Sequence, residues 1–303
     1  MAKLVSVIIP CFNAEKWLTE AIESCFKQSY TPIEVIVIDD GSTDRSLEII
    51  KIYDQKLTWE TGPNRGGNHA RNRGFELSKG EYIQYLDADD YLLPDKIYTQ
   101  VNFLENSNAD IVYGDVNYQE HLPNGEIIRG SLNILGMSGN CQDVLESLLA
   151  YGCLPPIAYL FRKSPTVNSV RWDETLKCGQ DRDFLISLLI QGAEIVYQPG
   201  GYSIYRKYGN VTVSTSNKAL LVKNFCIILA KAEAQLAQAG KLESKYQKAI
   251  AQSYYSMTRE YRKDIDFFCY CQLISKYILM SLKFLRTETK MAISKYKLKI
   301  KCC

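Results

Sequence analysis

His69 and His121 are the only histidines in a chain of 303 residues. So low a count argues against a histidine-rich zinc site and against a triad built on imidazole. No G-x-G-x-x-G follows the first apolar run, and no G-x-x-x-x-G-K-[ST] occurs anywhere. The dinucleotide-binding and P-loop readings therefore lose their main support. Ten cysteines are present, but no secretory leader, and most lie in apolar runs, as Cys25 and Cys226 do. The expectation is reduced, buried thiols in a cytoplasmic protein. Hydrophobic content of 46% and charged content of 23% are those of an ordinary globular chain. At this length one large domain with an appendage is expected.

The net charge of +2 hides an asymmetry. Residues 1–216 carry 19 Lys and Arg against 28 Asp and Glu, whereas 217–303 carry 17 against 6. The spacing of elements divides the chain at the same place, giving an acidic domain over 1–216 and a basic helical region over 217–303. Such a basic region suits an anionic surface.

Within the acidic part, short branched runs alternate with helical patterns. Leu4 to Ile9 reads as a buried strand, and a helix follows over about 15–28. Glu34 to Ile38 is a second strand, which leads straight into Asp39-Asp40-Gly41-Ser42-Thr43-Asp44. Ser42 or Thr43 is placed to cap the next helix. A weak strand at 57–60, the glycine-rich loop at 62–67, a helix over 68–77 and a strand at 82–86 complete the pattern. This alternation implies an α/β fold with a Rossmann-like, mostly parallel sheet flanked by helices. Ligands collect at the carboxyl ends of such strands. Cys11-Phe12-Asn13, Asp39-Asp40 and Asp87 to Asp90 all fall there.

The third of those clusters, in EYIQYLDADDYLLPD (81–95), sets three carboxylates within four residues. They repel one another unless a cation lies among them. In an extended backbone Asp87 and Asp89 point to one side and can share Mg²⁺ or Mn²⁺ with substrate phosphates. Read on its own, the stretch is equally a solvated acidic loop or the cap of the helix that Pro94 opens. With no glycine cradle for a phosphate, an arginine has to help, and Arg71 and Arg73 are available.

VSVIIPCFNAEKWLTEAIESCFKQS (5–29), VIVIDDGSTD (35–44), GPNRGGNHARNRG (62–74) and YLDADDYLLPD (85–95) resemble, in order and spacing, the family 2 inverting glycosyltransferases of GT-A fold. The likeness covers about 4–210. It implies that Pro10 and Asn13 line a nucleoside pocket, that Asp40 accepts from the N3–H of a uracil base, and that Arg71 faces the diphosphate. Asp87-Ala88-Asp89 matches the D-x-D element, with Asp89 the ligand of Mn²⁺ or Mg²⁺ and Asp87 nearer the sugar or ribose hydroxyls. Cys178 to Phe184 falls where the family carries its catalytic acid pair. Gln180-Asp181 stands there instead of Glu-Asp, and the resemblance makes Asp181 the general base. Taken alone, Gly-Gln-Asp before an apolar run is also an ordinary helix start. Arg206 or Lys207 would approach the diphosphate, and Tyr208 replaces a histidine common in relatives. The Q-x-x-R-W element of processive synthases is missing, which implies transfer of a single sugar.

The reading is thus a cytoplasmic enzyme that moves one sugar from a nucleotide-sugar donor to a glycan or lipid-linked acceptor, with no nucleic-acid partner. The rivals are a catalytically inactive sugar-nucleotide-binding protein of the same fold and a sugar nucleotidyltransferase. The second typically needs a basic glycine-rich loop that Pro10 to Asn13 does not supply. Elsewhere Asn124-Gly125 predicts a hairpin over 117–133. Leu154-Pro155-Pro156 and Phe161-Arg162 are expected at the acceptor cleft, and Cys269 and Cys271 in the core. The run 267–285 is apolar, yet Gln272, Lys276 and Lys283 share one side of its wheel, which argues against a simple span. A packed helix with a solvated basic end and a peripheral membrane anchor are both open.

Overall fold

The computed structural model describes residues 2–132, 141–208 and 217–301, and the side chains of 132, 141, 142 and 290–301 lie outside that description. The first apolar run forms β1 (Val5–Cys11), and a helix, α1 (Leu18–Phe26), follows it and sends Leu18, Ala21, Ile22 and Cys25 into the same core. β2 (Ile33–Asp39), α2 (Ser46–Ile52), β3 (Thr58–Thr61), α3 (Gly67–Leu77) and β4 (Tyr82–Tyr85) continue the alternation. β2 and β4 flank β1 in parallel, and β3 lies outside β2. Crossovers of this kind bury both faces of the strands, which is why Val and Ile fill β1 and β2 with little polar alternation.

Beyond β4 the sheet is not parallel. After the short β5 (Tyr91–Leu92) and α4 (Lys96–Glu105), β6 (Ile111–His121) and β7 (Ile127–Leu132) form the hairpin expected from Asn124-Gly125. α5 (Cys141–Ala150), β8 (Tyr159–Arg162), α6 (Pro165–Asn168), α7 (Gln180–Ile190) and β9 (Ile195–Tyr208) complete the domain. β8 enters antiparallel between β4 and β6, while β9 runs parallel to β6 and antiparallel to β5. The order is β3-β2-β1-β4-β8-β6-β9-β5, with β7 on β6. The parallel character read from the sequence therefore holds for β1 to β4 and for the β6–β9 pair, while the pairings of β5, β7 and β8 are antiparallel.

Three helices follow: α8 (Lys218–Gln238), α9 (Ser244–Glu260) and α10 (Phe267–Lys301). They are not a loose appendage. Val222, Ile228, Leu229, Ala232 and Leu236 of α8, and Ala249, Ile250, Tyr254 and Met257 of α9, belong to the same core as β1 and β4. Among the described residues no helix is long and apolar enough to cross a membrane.

Candidate active site

The loop after β2 is built by short polar side chains. Asp39 accepts from Ser42 N (3.2 Å) and the Thr61 hydroxyl (2.6 Å), which ties the loop to β3. Gly41 has φ +76°, and a Cβ there would meet Asn64 N and Gly62 O at 2.9 Å, so only glycine fits. Neither Ser42 nor Thr43 caps a helix, because α2 starts later, at Ser46. Ser42 Oγ accepts from Asn13 N (3.0 Å), and Asn13 Oδ1 accepts from Thr43 N (2.8 Å). Asn13 itself has φ +48°, a conformation that asparagine tolerates better than most side chains. The two loops are thereby fastened to each other.

Asp40 is buried. Its two oxygens accept from Arg65 N and Gly66 N, each at 2.8 Å, which fixes the loop that opens α3. Arg71, one turn into that helix, lies over Trp172 (4.8 Å to the ring centre) and donates to Asp87 Oδ1 at 2.6 Å. Its Nε is buried without a partner among the described residues.

Asp87 to Asp90 form a tight turn, with Asp90 N donating to Asp87 O at 3.0 Å. The extended backbone assumed from the spacing is absent, and the carboxylates go to different partners. Asp87 pairs with Arg71, Asp89 Oδ2 accepts from the Tyr208 hydroxyl at 2.9 Å, and buried Asp90 accepts from Arg206 N at 2.8 Å. Burial first, and then the Asp87 charge, hold the Asp89 carboxyl above its ordinary pKa. Burial does the same, more strongly, to Asp90.

Arg206 does not reach toward the cleft as a free cation. Its guanidinium is sandwiched between Trp17 (4.3 Å) and Tyr91 (4.8 Å), donates to Asp89 O at 2.8 Å and pairs with Glu20. It braces the acidic turn from below. Lys207 lies over Tyr118, away from that turn.

Across from the turn, Asp181 sits in the first turn of α7, where Oδ1 accepts from Arg182 N at 2.9 Å. It is at once the helix-start residue and a carboxylate at the cleft. Burial raises its pKa, with the Asp87 charge adding to the rise, while the Arg182 N–H and the Arg71 charge oppose it. Its position depends on the C-terminal helices. Gly179 (φ +70°) packs so closely on α8 that a Cβ would meet Phe225 at 2.7 Å. Lys231 of α8 donates to Asp183 (2.7 Å) and Asp173 (2.9 Å), and Arg182 donates to the carbonyls of Leu148 and Leu149 and to Ser253 of α9.

Two adjoining cavities, of about 490 and 380 Å³, share Arg71, Asp87, Asp89, Gln180 and Tyr208. The larger is bounded by Pro10, Asn13, Asp40 and the loop 64–68, and the smaller by Pro155, Pro156, Trp172, Asp181, Tyr205 and Arg206. Pro10, Asn13, Asp40, Arg71, Asp87, Asp89, Asp181 and Arg206 thus line one cleft. Pro155 and Pro156 are at it as expected. Phe161 and Arg162 are not: Phe161 is buried in β8, and Arg162 turns to Glu105 and Leu104 O. Trp172 and Tyr205 escaped the sequence reading, and no local pattern around them would have marked them.

The sequence model described as glycosyl transferase family 2 matches residues 6–129. An uncharacterised glycosyltransferase of Haemophilus influenzae is 45% identical over 117 residues, which are 37% of this chain and 46% of that one. The minor teichoic acid biosynthesis protein GgaB of Bacillus subtilis is 33% identical over 193 residues, 61% of this chain and 21% of that one. The chain thus spans less than half the length of these relatives. Among solved structures, residues 1–349 of S. aureus TarS in complex with UDP-GlcNAc share the fold, with a TM-score of 0.73 at 20% identity over 91% of this chain and 81% of that one. The chain is thus similar to glycosyl transferase family 2 over residues 6–129, and it shares the fold of TarS.

Proposed function

We propose that the protein is an inverting, metal-dependent glycosyltransferase that moves one sugar from a UDP-sugar to a hydroxyl acceptor in glycan, cell-surface polysaccharide or glycolipid synthesis. The observation that carries this reading is the meeting of two cavities at the Arg71–Asp87–Asp89 group, with Asp181 on the wall of the smaller one. The larger cavity takes the nucleoside beside Pro10, Asn13 and the Asp40 loop, and the smaller takes the sugar and the acceptor. UDP as the carrier is supported by TarS, of the same fold, which was solved with UDP-GlcNAc.

The donor set suits a hard divalent ion. Burial first, and then the neighbouring Asp87 charge, raise the Asp89 pKa, and a cation would offset the cost of keeping that carboxylate charged. Among the described residues no group of three or more His, Cys, Asp or Glu side chains could cage a metal. Mn²⁺ or Mg²⁺ held by one or two carboxylates together with substrate phosphates needs no such cage. Asp89 would be the direct ligand, and the bound ion would supply Lewis-acid neutralisation of the departing diphosphate.

The chain's own groups do the rest. Arg71, fixed by Asp87 and Trp172, keeps an unpartnered Nε–H for a phosphate oxygen. Asp181 removes the proton from the acceptor hydroxyl as that oxygen attacks the anomeric carbon on the face opposite the diphosphate. One displacement of this kind inverts the centre. A carboxylate with a raised pKa is a better base than an exposed one. Asp89→Asn tests the donor side: calorimetric binding of UDP should no longer respond to Mn²⁺. An unchanged Mn²⁺ response would remove Asp89 from the metal site.

A further inference from the structure

The long helix α10 has two unlike sides. One packs on α9 and α8: Leu273 and Met280 are buried, Tyr277 meets Tyr255 at 5.3 Å, Lys283 pairs with Glu233, and Thr287 donates to Gln247. The other side carries Phe267 (81% exposed) and Phe268 (72%), with Cys271, Ile278, Leu279, Leu282 and Leu285 also exposed. At about 100° per residue these seven positions fall within one third of the wheel, an apolar stripe broken by Ser275 and left uncovered by the described residues. A scatter of single exposed apolar residues is ordinary, whereas a stripe several turns long marks a surface that meets something apolar. Cys271, expected in the core, lies in this stripe.

Charge indicates what that something is. Residues 217–303 carry 17 Lys and Arg against 6 Asp and Glu, and 276–301 carry eight against the single acid Glu288. Beside the stripe on the wheel, α8 and α10 enclose a groove of about 470 Å³ lined by Leu220, Cys226 and Leu273, with Lys223 and Lys276 in its wall. An isologous contact through α10 would press two such basic regions together, and like charges at close range disfavour that contact. Spanning a bilayer is not available to α10, because no described helix is long and apolar enough. We propose that α10 is an interfacial docking surface for a bilayer rich in anionic phospholipid. Its Phe-Leu-Ile stripe enters below the headgroups, and the basic charge carried on 276–301 draws it to the anionic surface. The proposal stands on α10 alone and does not require the transferase reading.

Cutting the chain before α10 would bare the Leu273–Met280 seam, so the test uses the full chain. Leu279 and Leu282 are about half exposed, and Leu279→Glu/Leu282→Glu places charge on the stripe without touching the core. The probes are extruded vesicles of phosphatidylglycerol with phosphatidylcholine and vesicles of phosphatidylcholine alone, followed by co-sedimentation. The parent chain should sediment with the anionic vesicles, less with the neutral ones, and less again when salt rises from about 0.1 M to about 1 M, where screening shortens from roughly 10 to 3 Å. The double variant should unfold at the parent temperature and lose at least about tenfold in partitioning. Equal sedimentation of parent and variant would overturn the proposal. So would a lipid-free dimer, seen by sedimentation velocity, that the double variant dissolves, since the stripe would then be a contact between copies.

Discussion

Lys231→Met probes how far the C-terminal helices belong to the active site. The Lys231 ammonium bridges Asp183, whose side chain is almost wholly buried, and Asp173. Removing one partner of a buried pair costs about 3–5 kcal/mol, because the other charge is left without compensation. Lys231 is itself about one-third exposed and Asp183 can take up a proton, so about 2–4 kcal/mol is the expected loss. With an unfolding entropy of about 2.1 cal/mol/K per residue, a chain of 303 residues loses about 3–6 °C in Tm. The sign with pH follows from Asp183. Burial raises its folded pKa above the unfolded value even with Lys231 opposing, and removal of Lys231 raises it further. A carboxyl with a raised folded pKa destabilises the native state as pH climbs through that value, so the deficit should be full at neutral pH and shrink toward pH 4. Scanning calorimetry across pH reads this directly, and Lys231→Met/Asp183→Asn should recover most of the loss. A deficit that is flat with pH, or a double variant as unstable as the single, would refute the buried-pair reasoning.

Gly179→Ala should cost about 1–3 kcal/mol in urea unfolding, since the new Cβ meets Phe225 at 2.7 Å in a left-handed backbone. Because Gly179 caps the helix that carries Asp181, transfer should fall even at temperatures where the variant is fully folded. The acid limb of the kcat/KM profile should lie above the ordinary carboxylate range and should move when Asp87 is neutralised, because burial and the Asp87 charge raise the Asp181 pKa.

Much of the sheet was legible because local chemistry dictates it. Branched runs bounded by polar turns marked β1, β2 and β4, and Asn124-Gly125 marked the β6–β7 hairpin. The polar clusters at the strand ends marked the cleft. What escaped was long-range. The antiparallel entry of β8 depends on pairing Tyr82 with Arg162 across 80 residues, which no local pattern announces. The role of Arg206 depends on Trp17 and Tyr91 closing on its two faces, and that of α8 on Gly179 needing room for Phe225. Composition separated 217–303 by charge, yet charge resides on surfaces, and the buried sides of α8 and α9 join the common core.

The central claim is that Asp181 is the base of a sugar transfer, and Asp181→Asn tests it with little change in shape. Oδ1 can still accept from Arg182 N, so the α7 start should hold. The measurement is a paired one, with UDP-sugar affinity by calorimetry beside the rate of transfer to acceptor. Donor affinity should stay near that of the parent while transfer drops by about 10²–10⁴-fold, the range for loss of a positioned general base. Joint loss of donor affinity and thermal stability, or transfer at the parent rate, would show that Asp181 only starts a helix.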